Sequence, residues 1–281
     1  MMRTRSGSGR SSGFPGGRLV IAAIVAIISL VGYFAARQEN PVTGEVQNVS
    51  MSVEQEVALG QQAAPEMAAQ HGGLAQSEEL QQRVDTIGQA ILAQSEASEA
   101  PYPFEFHALE DDETVNAFAL PGGQVFVTEG LINLLKSDGE LAGVLAHEIV
   151  HVVGRHSAEQ VARAQLAEGL SGAAVIASYD PNNPASAGSA QVAQLIAQTV
   201  NMKFGREDEL EADKLGVRYM ADAGYDPRAL IRVMQVLGEA SEGARPPEFL
   251  STHPDPGRRV EQIEAAIAEV FPQGVPEGLT P

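Results

Sequence analysis

The sequence predicts a mostly helical α+β fold with a small β-sheet, set behind one apolar N-terminal helix. Three observations predict it. Apolar residues recur at helical spacing through most of the chain. Two short strand-like runs flank Pro121-Gly122-Gly123, the signature of a turn between paired strands. Residues 19–36, "LVIAAIVAIISLVGYFAA", carry no charge and are apolar on every face.

A chain of 281 residues is long enough for one medium domain plus appendages. It has no cysteine, which excludes a disulfide scaffold, a thiolate metal site and a thiol nucleophile. Any metal site must therefore use histidine, carboxylate and water. The net charge is -19, from 37 acids against 18 bases, and no basic face offsets it, so nucleic acid is excluded as a partner.

From the N-terminus, residues 1–18 hold Arg3, Arg5, Arg10 and Arg18 and no acid, and read as a basic cytoplasmic tail. Residues 19–36 would make roughly 27 Å of helix, close to the thickness of a bilayer core. Positive charge before the span and acidic sequence after it predict a transmembrane signal anchor with the remainder exported. A cleaved signal peptide is the alternative, and "YFAARQEN" offers small residues for it, but the apolar run exceeds the usual signal core. With no cysteine after the span, a lipoprotein anchor is ruled out.

Residues 37–51 read as a polar linker, and 52–281 as the working domain. Ser52 and an acidic first turn open an alanine-rich helix ending near Gly72-Gly73. Leu80, Val84, Ile87 and Ile91 mark a second helix. "YPFEFHAL" alternates as a strand; "TVNAFALPGGQVFVTEGLINLL" reads as strand, turn, strand and short helix. Beyond it the chain is expected to be helical to its end, interrupted by a loop over residues 178–190.

"LAGVLAHEIVHVVGRHSAEQ", residues 141–160, carries the chemistry. His147 and His151 stand four apart on an apolar helix, so they share a face and can bind one ion. Glu148 stands where zinc proteases carry the base that takes a proton from the metal-bound water. Three separately satisfied polar residues would need several partners; one ion accounts for all of them. A third ligand is expected in "FGREDELEADKLGVRYMADAG". Glu209 can bind the metal, and Asp213, one turn on, can accept the free N–H of a ligand histidine. Spacing alone leaves Glu207, Glu209 and Glu211 open, since a solvated acidic face explains such a run as well.

"HEIVH" followed by "ELEAD" resembles the exported, periplasmic branch of the HtpX and CAAX-prenyl-protease family of zinc metallopeptidases. "EQEVALGQQ" is similar to the family's first helix, "NAFALPGGQVFVTEGLI" to its edge strand and turn, and "THPDPGRRVEQI" to its Thr-His-Pro segment. The resemblance covers roughly residues 52–271. It implies a zincin-like (gluzincin) metallopeptidase domain holding one zinc ion per chain through His147, His151 and Glu209, with Asp213 behind a ligand histidine. Two departures are the multi-span membrane domain of the integral members and the helical-repeat tail of the outer-membrane assembly protease, neither of which is seen in this sequence.

By the same resemblance, Asn116, Ala117 and Phe118 pair with an extended substrate, although an ordinary hairpin strand has the same pattern. His253 reads by composition as a surface loop residue. The resemblance instead implies a position near the metal, as a fourth ligand or a transition-state donor, and it implies that Arg259 helps hold an oxyanion. His71, His107 and His156 have no such support. His156, five residues past His151, reads as a helix C-terminal residue off the ligand face.

These features together lead to an expected membrane-anchored zinc endopeptidase, single-pass in a bacterial inner membrane with its catalytic domain in the periplasm. It would act on unfolded or misassembled envelope polypeptides in protein quality control. A chaperone-like assembly factor with a latched or structural zinc site is the alternative. A cell-wall esterase or amidase is a third reading, disfavoured by the edge strand.

Overall fold

The computed structural model describes residues 15–178, 204–242, 246–254 and 256–281. Residues 1–14 of the expected basic tail and 179–190 of the expected loop lie outside these. The described residues form two units: 15–35 with 163–178, and 36–162 with 204–281.

The first unit contains α1 (Pro15–Ala35) and the C-terminal part of α6 (His156–Ser178). The span Gly17–Ala35 is long and apolar enough to cross a membrane, at the position where the sequence predicts an anchor. Its apolar side chains are exposed, Ile28 at 65% and Val31 at 62%. A soluble domain would leave such a surface uncovered only at considerable cost.

In the second unit, residues 37–51 are not a linker. They form a hairpin of β1 (Arg37–Glu39) and β2 (Val46–Asn48). The side chains of Asn40 and Gln47 donate to the carbonyls of Val153 and Gly154, at 2.8 and 2.6 Å. These are orphan acceptors at the end of α5 (Asp138–Val153). The polar composition that suggested a linker is a helix cap.

Helix α2 (Val53–Gln70) starts at Ser52, whose side chain forms a capping box with Gln55. Helix α3 (Glu78–Gln94) buries Val84, Ile87 and Ile91, and Leu80 is half-buried. A three-stranded sheet follows, β3 (Glu105–Leu109), β4 (Ala117–Leu120) and β5 (Gln124–Thr128), in the order β3-β5-β4. Central β5 is buried throughout, parallel to β3 and antiparallel to β4. Gly60 and Gly122 let α2 lie on the hairpin turn. A Cβ on Gly60 would come within 1.9 Å of the Pro121 carbonyl oxygen, and one on Gly122 within 2.4 Å of Val57 Cα.

After the short α4 (Glu129–Ile132) comes α5, the centre of the core, with every residue from Gly139 to Val153 buried. It packs on α3, on the sheet, and on α7 (Arg206–Asp222) and α8 (Arg228–Ser241). The short α9 (Phe249–Thr252) precedes α10 (Pro256–Val270), which packs on α7 and α8. The expectation of helix to the end of the chain is corrected: α10 stops at Val270 and the last residues are irregular. Pro272, Gly274, Pro276 and Gly278 break any helical run there. This tail is pinned nonetheless. Thr280 bridges to Tyr225, and the Pro281 carbonyl accepts from Gly139 N–H at 2.8 Å, at the start of α5.

Candidate metal centre

Two consecutive turns of α5 present His147 and His151 to α7, with Nε2 atoms 3.1 Å apart. Glu209 meets them from α7, Oε2 lying 3.4 Å from His147 Nε2 and Oε1 3.5 Å from His151 Nε2. His253, directly after α9, adds Nδ1 at 2.9 Å from Glu209 Oε1 and 3.2 Å from His147 Nε2. Ligand atoms of these four residues all lie within 4.8 Å of one another, and all four are buried.

The set fits a small cation. Tetrahedral donors at about 2.0–2.1 Å from zinc stand roughly 3.3 Å from each other; the nearest pairs here lie 2.9–3.5 Å apart, and one donor atom from each of the four residues falls within 4.8 Å. Without an ion, imidazole and carboxylate donor atoms crowd toward one point in a buried site, an arrangement that a cation would relieve. Three imidazoles and one carboxylate are zinc-type donors. Of the three glutamates that spacing left open, Glu209 is the one at this centre.

Asp213, one turn beyond Glu209, sets Oδ1 3.0 Å from His147 Nδ1. Arg259 on α10 donates to both Asp213 oxygens and lies 3.0 Å from Glu209 Oε2 through Nη1. The guanidinium is thus engaged with two buried carboxylates. Burial and the Arg259 charge oppose protonation of His147, but hydrogen bonds to Asp213 and Glu209 outweigh them and bring it to about 9. Burial, then the charge of His147, pushes His151 well below its usual value. Burial pushes Glu209 up, yet His253 and His147 overcome this and hold it far below the carboxylate range.

Glu148 is fully buried beside the four donors and neither of its carboxylate oxygens has a hydrogen-bond partner. Burial raises its pKa. His253 Nε2 lies 3.6 Å from Glu148 Oε1. The two ring nitrogens of His253 therefore address different groups, Nδ1 the donor cluster and Nε2 Glu148. Phe249 stacks on that ring at 4.3 Å. Composition pointed to a surface residue, but His253 is 0% exposed. A cavity of about 270 Å³ reaches Glu209 and Arg259 from the side of Pro254, lined also by Arg206 and Arg258.

Asn116 and Ala117 are buried and Phe118 is half-buried. Asn116 exchanges backbone and side-chain hydrogen bonds with Thr128 on β5. By the alternation of an antiparallel ladder, the backbone groups of Ala117 and Ala119 then point to the other edge of β4. Val115, just before the strand, accepts from Phe249 N–H at 3.2 Å, which ties the strand to the turn carrying His253.

The reading of His156 is corrected. It does not end α5 but starts α6, it is 2% exposed, and its Nδ1 lies 2.8 Å from His151 Nδ1. The expectation assumed an unbroken helix, which would carry a residue five positions on away from the ligand face. Arg155, at φ 57°, turns the chain instead. That left-handed residue is held by buried Glu56, through Nε at 2.9 Å and through Nη2, and by the Met51 carbonyl. Phe204, which stacks on His151 at 4.0 Å, and Phe249 had no distinguishing signal in the sequence. Glu211, read as solvated, pairs with His156 at 3.0 Å.

A family model described as "Peptidase family M48" matches residues 78–267. The Beta-barrel assembly-enhancing protease of Yersinia pestis is 31% identical over 268 residues, covering 90% of this chain and 54% of that protein. The protein of the same name from Escherichia coli strain K12 is 31% identical over 204 residues, 70% of this chain and 40% of its own. The Mitochondrial metalloendopeptidase OMA1 of Schizosaccharomyces pombe is 32% identical over 244 residues, 85% and 69% respectively. The chain spans about half the length of the bacterial relatives it matches.

Proposed function

The chain belongs to peptidase family M48, and from that premise we propose that it is a membrane-anchored zinc metalloendopeptidase cutting unfolded or misassembled envelope proteins. One observation carries this reading: four buried donors within 4.8 Å of one another, with the unpartnered carboxylate of Glu148 beside them.

His147, His151 and Glu209 would hold one zinc ion. Zinc bound there polarises a scissile carbonyl and makes water a usable nucleophile near neutral pH. Glu148 takes the proton of the attacking water on an unpartnered oxygen and returns it to the leaving amine; its raised pKa suits holding that proton. Asp213 fixes the His147 tautomer, and Arg259 keeps Asp213 and Glu209 ionised in a buried site. Substrate adds antiparallel to β4 along Asn116, Ala117 and Phe118, using the outward backbone groups of the strand. His253 must withdraw for substrate to enter, because its Nδ1 lies 2.9 Å from Glu209 Oε1 among the donor atoms and its ring stands beside Glu148.

Residues 19–36 would anchor the chain once in a bacterial inner membrane, with 1–18 cytoplasmic and the peptidase domain in the periplasm. The apolar helix α1 and the bacterial assembly-enhancing proteases support this location. The domain proposed to start at residue 52 gains the β1–β2 hairpin, so a soluble truncation has to begin at Ala36.

A second reading has one observation in its favour: His253 is fully buried on the donor cluster, so the site is closed. Under it the protein is a periplasmic assembly factor that binds unfolded chains along β4. Casein digestion by the full chain in detergent, with and without a chelator, separates the two. Chelator-sensitive cleavage is expected. Binding of casein without cleavage would favour the assembly factor.

A further inference from the structure

We propose that His156 and Glu211 form a positioning chain behind His151, so that the two metal-binding histidines are held by different devices. The proposal rests on the metal-site reading above. His147 is backed directly by a carboxylate, Asp213, at 3.0 Å. Among the described residues, no carboxylate stands directly behind His151. Its Nδ1 meets His156 Nδ1 at 2.8 Å, and His156 Nε2 meets Glu211 Oε2 at 3.0 Å.

The proton positions follow from valence. A histidine that binds metal through Nε2 carries its hydrogen on Nδ1. His151 Nδ1–H must then donate, so His156 Nδ1 accepts. A neutral imidazole accepting at Nδ1 carries its hydrogen on Nε2, and Glu211, an obligate acceptor when ionised, stands there. Every proton in the chain His151–His156–Glu211 has one place to be. The carboxylate two residues before Asp213 thus reaches the second ligand through an intervening ring.

Three further features keep the chain in register. His156 is 2% exposed, so water does not compete for its nitrogens. Phe204 stacks on His151 at 4.0 Å and limits rotation of that ring. Arg155, at φ 57° and tied to Glu56, sets the turn that brings His156 under His151. Both His156 nitrogens are used, so it is a positioning residue and not a fifth ligand.

Zinc affinity measured by chelator competition tests this on the full chain in detergent. His156→Phe keeps the ring volume and removes both hydrogen bonds; its zinc dissociation constant should rise by about 10–100-fold. Glu211→Gln, at a partly exposed position, should weaken binding less. Added to His156→Phe it should cost nothing more, because the link is already cut. The visible spectrum of the cobalt-substituted protein should change in both variants, and a merely structural role would not move it in Glu211→Gln. Additive losses in the double variant would overturn the chain. So would wild-type zinc affinity in His156→Phe, whatever happens to its melting temperature. If wild type takes up no zinc at all, the metal reading falls together with the chain; if only the variants behave as wild type, the chain alone falls.

Discussion

Arg259 grips Asp213 with two nitrogens, Nε on Oδ2 and Nη2 on Oδ1, each at 2.7 Å. The pair is buried, at 2% and 1% side-chain exposure, and the same Asp213 oxygen faces His147. Arg259→Ala would remove the guanidinium that pairs Asp213 and Glu209, leaving two buried carboxylates to share the neighbouring histidines. It should destabilise the metal-free protein by about 3–5 kcal/mol. Urea unfolding followed by circular dichroism reads this, and a loss below about 1 kcal/mol would mean that water or another cation compensates the carboxylates.

Metal content follows from the donor cluster. His147→Ala should lose most of the zinc that wild type retains through purification, because one of the donors facing Glu209 is gone. Elemental analysis per chain checks it. Full stoichiometry in the variant would mean that the ion is held elsewhere.

His253 gives a prediction with two signs. If the ring is a latch, His253→Ala raises basal cleavage of an unfolded substrate, because a donor that competes with water is removed. If it stabilises the transition state, the same change lowers turnover. Full burial of the ring against Glu148 favours the rise. Unchanged cleavage would reduce the residue to packing under Phe249.

Local signals made much of this legible. Helix α2 from its cap at Ser52, the periodicity of α3, the β4–β5 hairpin and the buried α5 all follow from spacing and turn chemistry in the sequence. His147 and His151 share a face by helical geometry alone. Contacts between distant segments were not legible. Nothing local distinguishes Asn40 and Gln47, which cap α5, from the polar residues of a linker. Nor does anything local say that Arg155 breaks the helix, since its left-handed turn depends on Glu56 a hundred residues away. His156 therefore reads as a helix end off the ligand face and Glu211 as part of a solvated face, whereas the two pair with each other behind His151. Choosing Glu209 among three glutamates needed resemblance, because an acidic helix start looks the same whether it faces water or an ion.

Acid stability should depend on Asp111. Burial pushes its carboxyl up, but hydrogen bonds from Thr114, His71 and Glu113 outweigh that and hold it at about 2. A folded value below the unfolded value of about 3.9 stabilises the protein above that pH, and the contribution is lost as pH falls through about 2. Asp111→Asn should lower the unfolding midpoint at pH 6, and the difference from wild type should vanish near pH 2. A difference that stays constant across the range would assign the effect to packing.

The most direct test of the account is Glu148→Gln, assayed for zinc and for casein cleavage on the same preparation. Glu148 touches none of the other side chains by hydrogen bond, so the exchange should leave fold and metal intact. Zinc content and melting temperature should match wild type while kcat/KM falls by about 10²–10⁴-fold, the usual contribution of a positioned base. Wild-type turnover in a zinc-loaded Glu148→Gln protein would contradict the account.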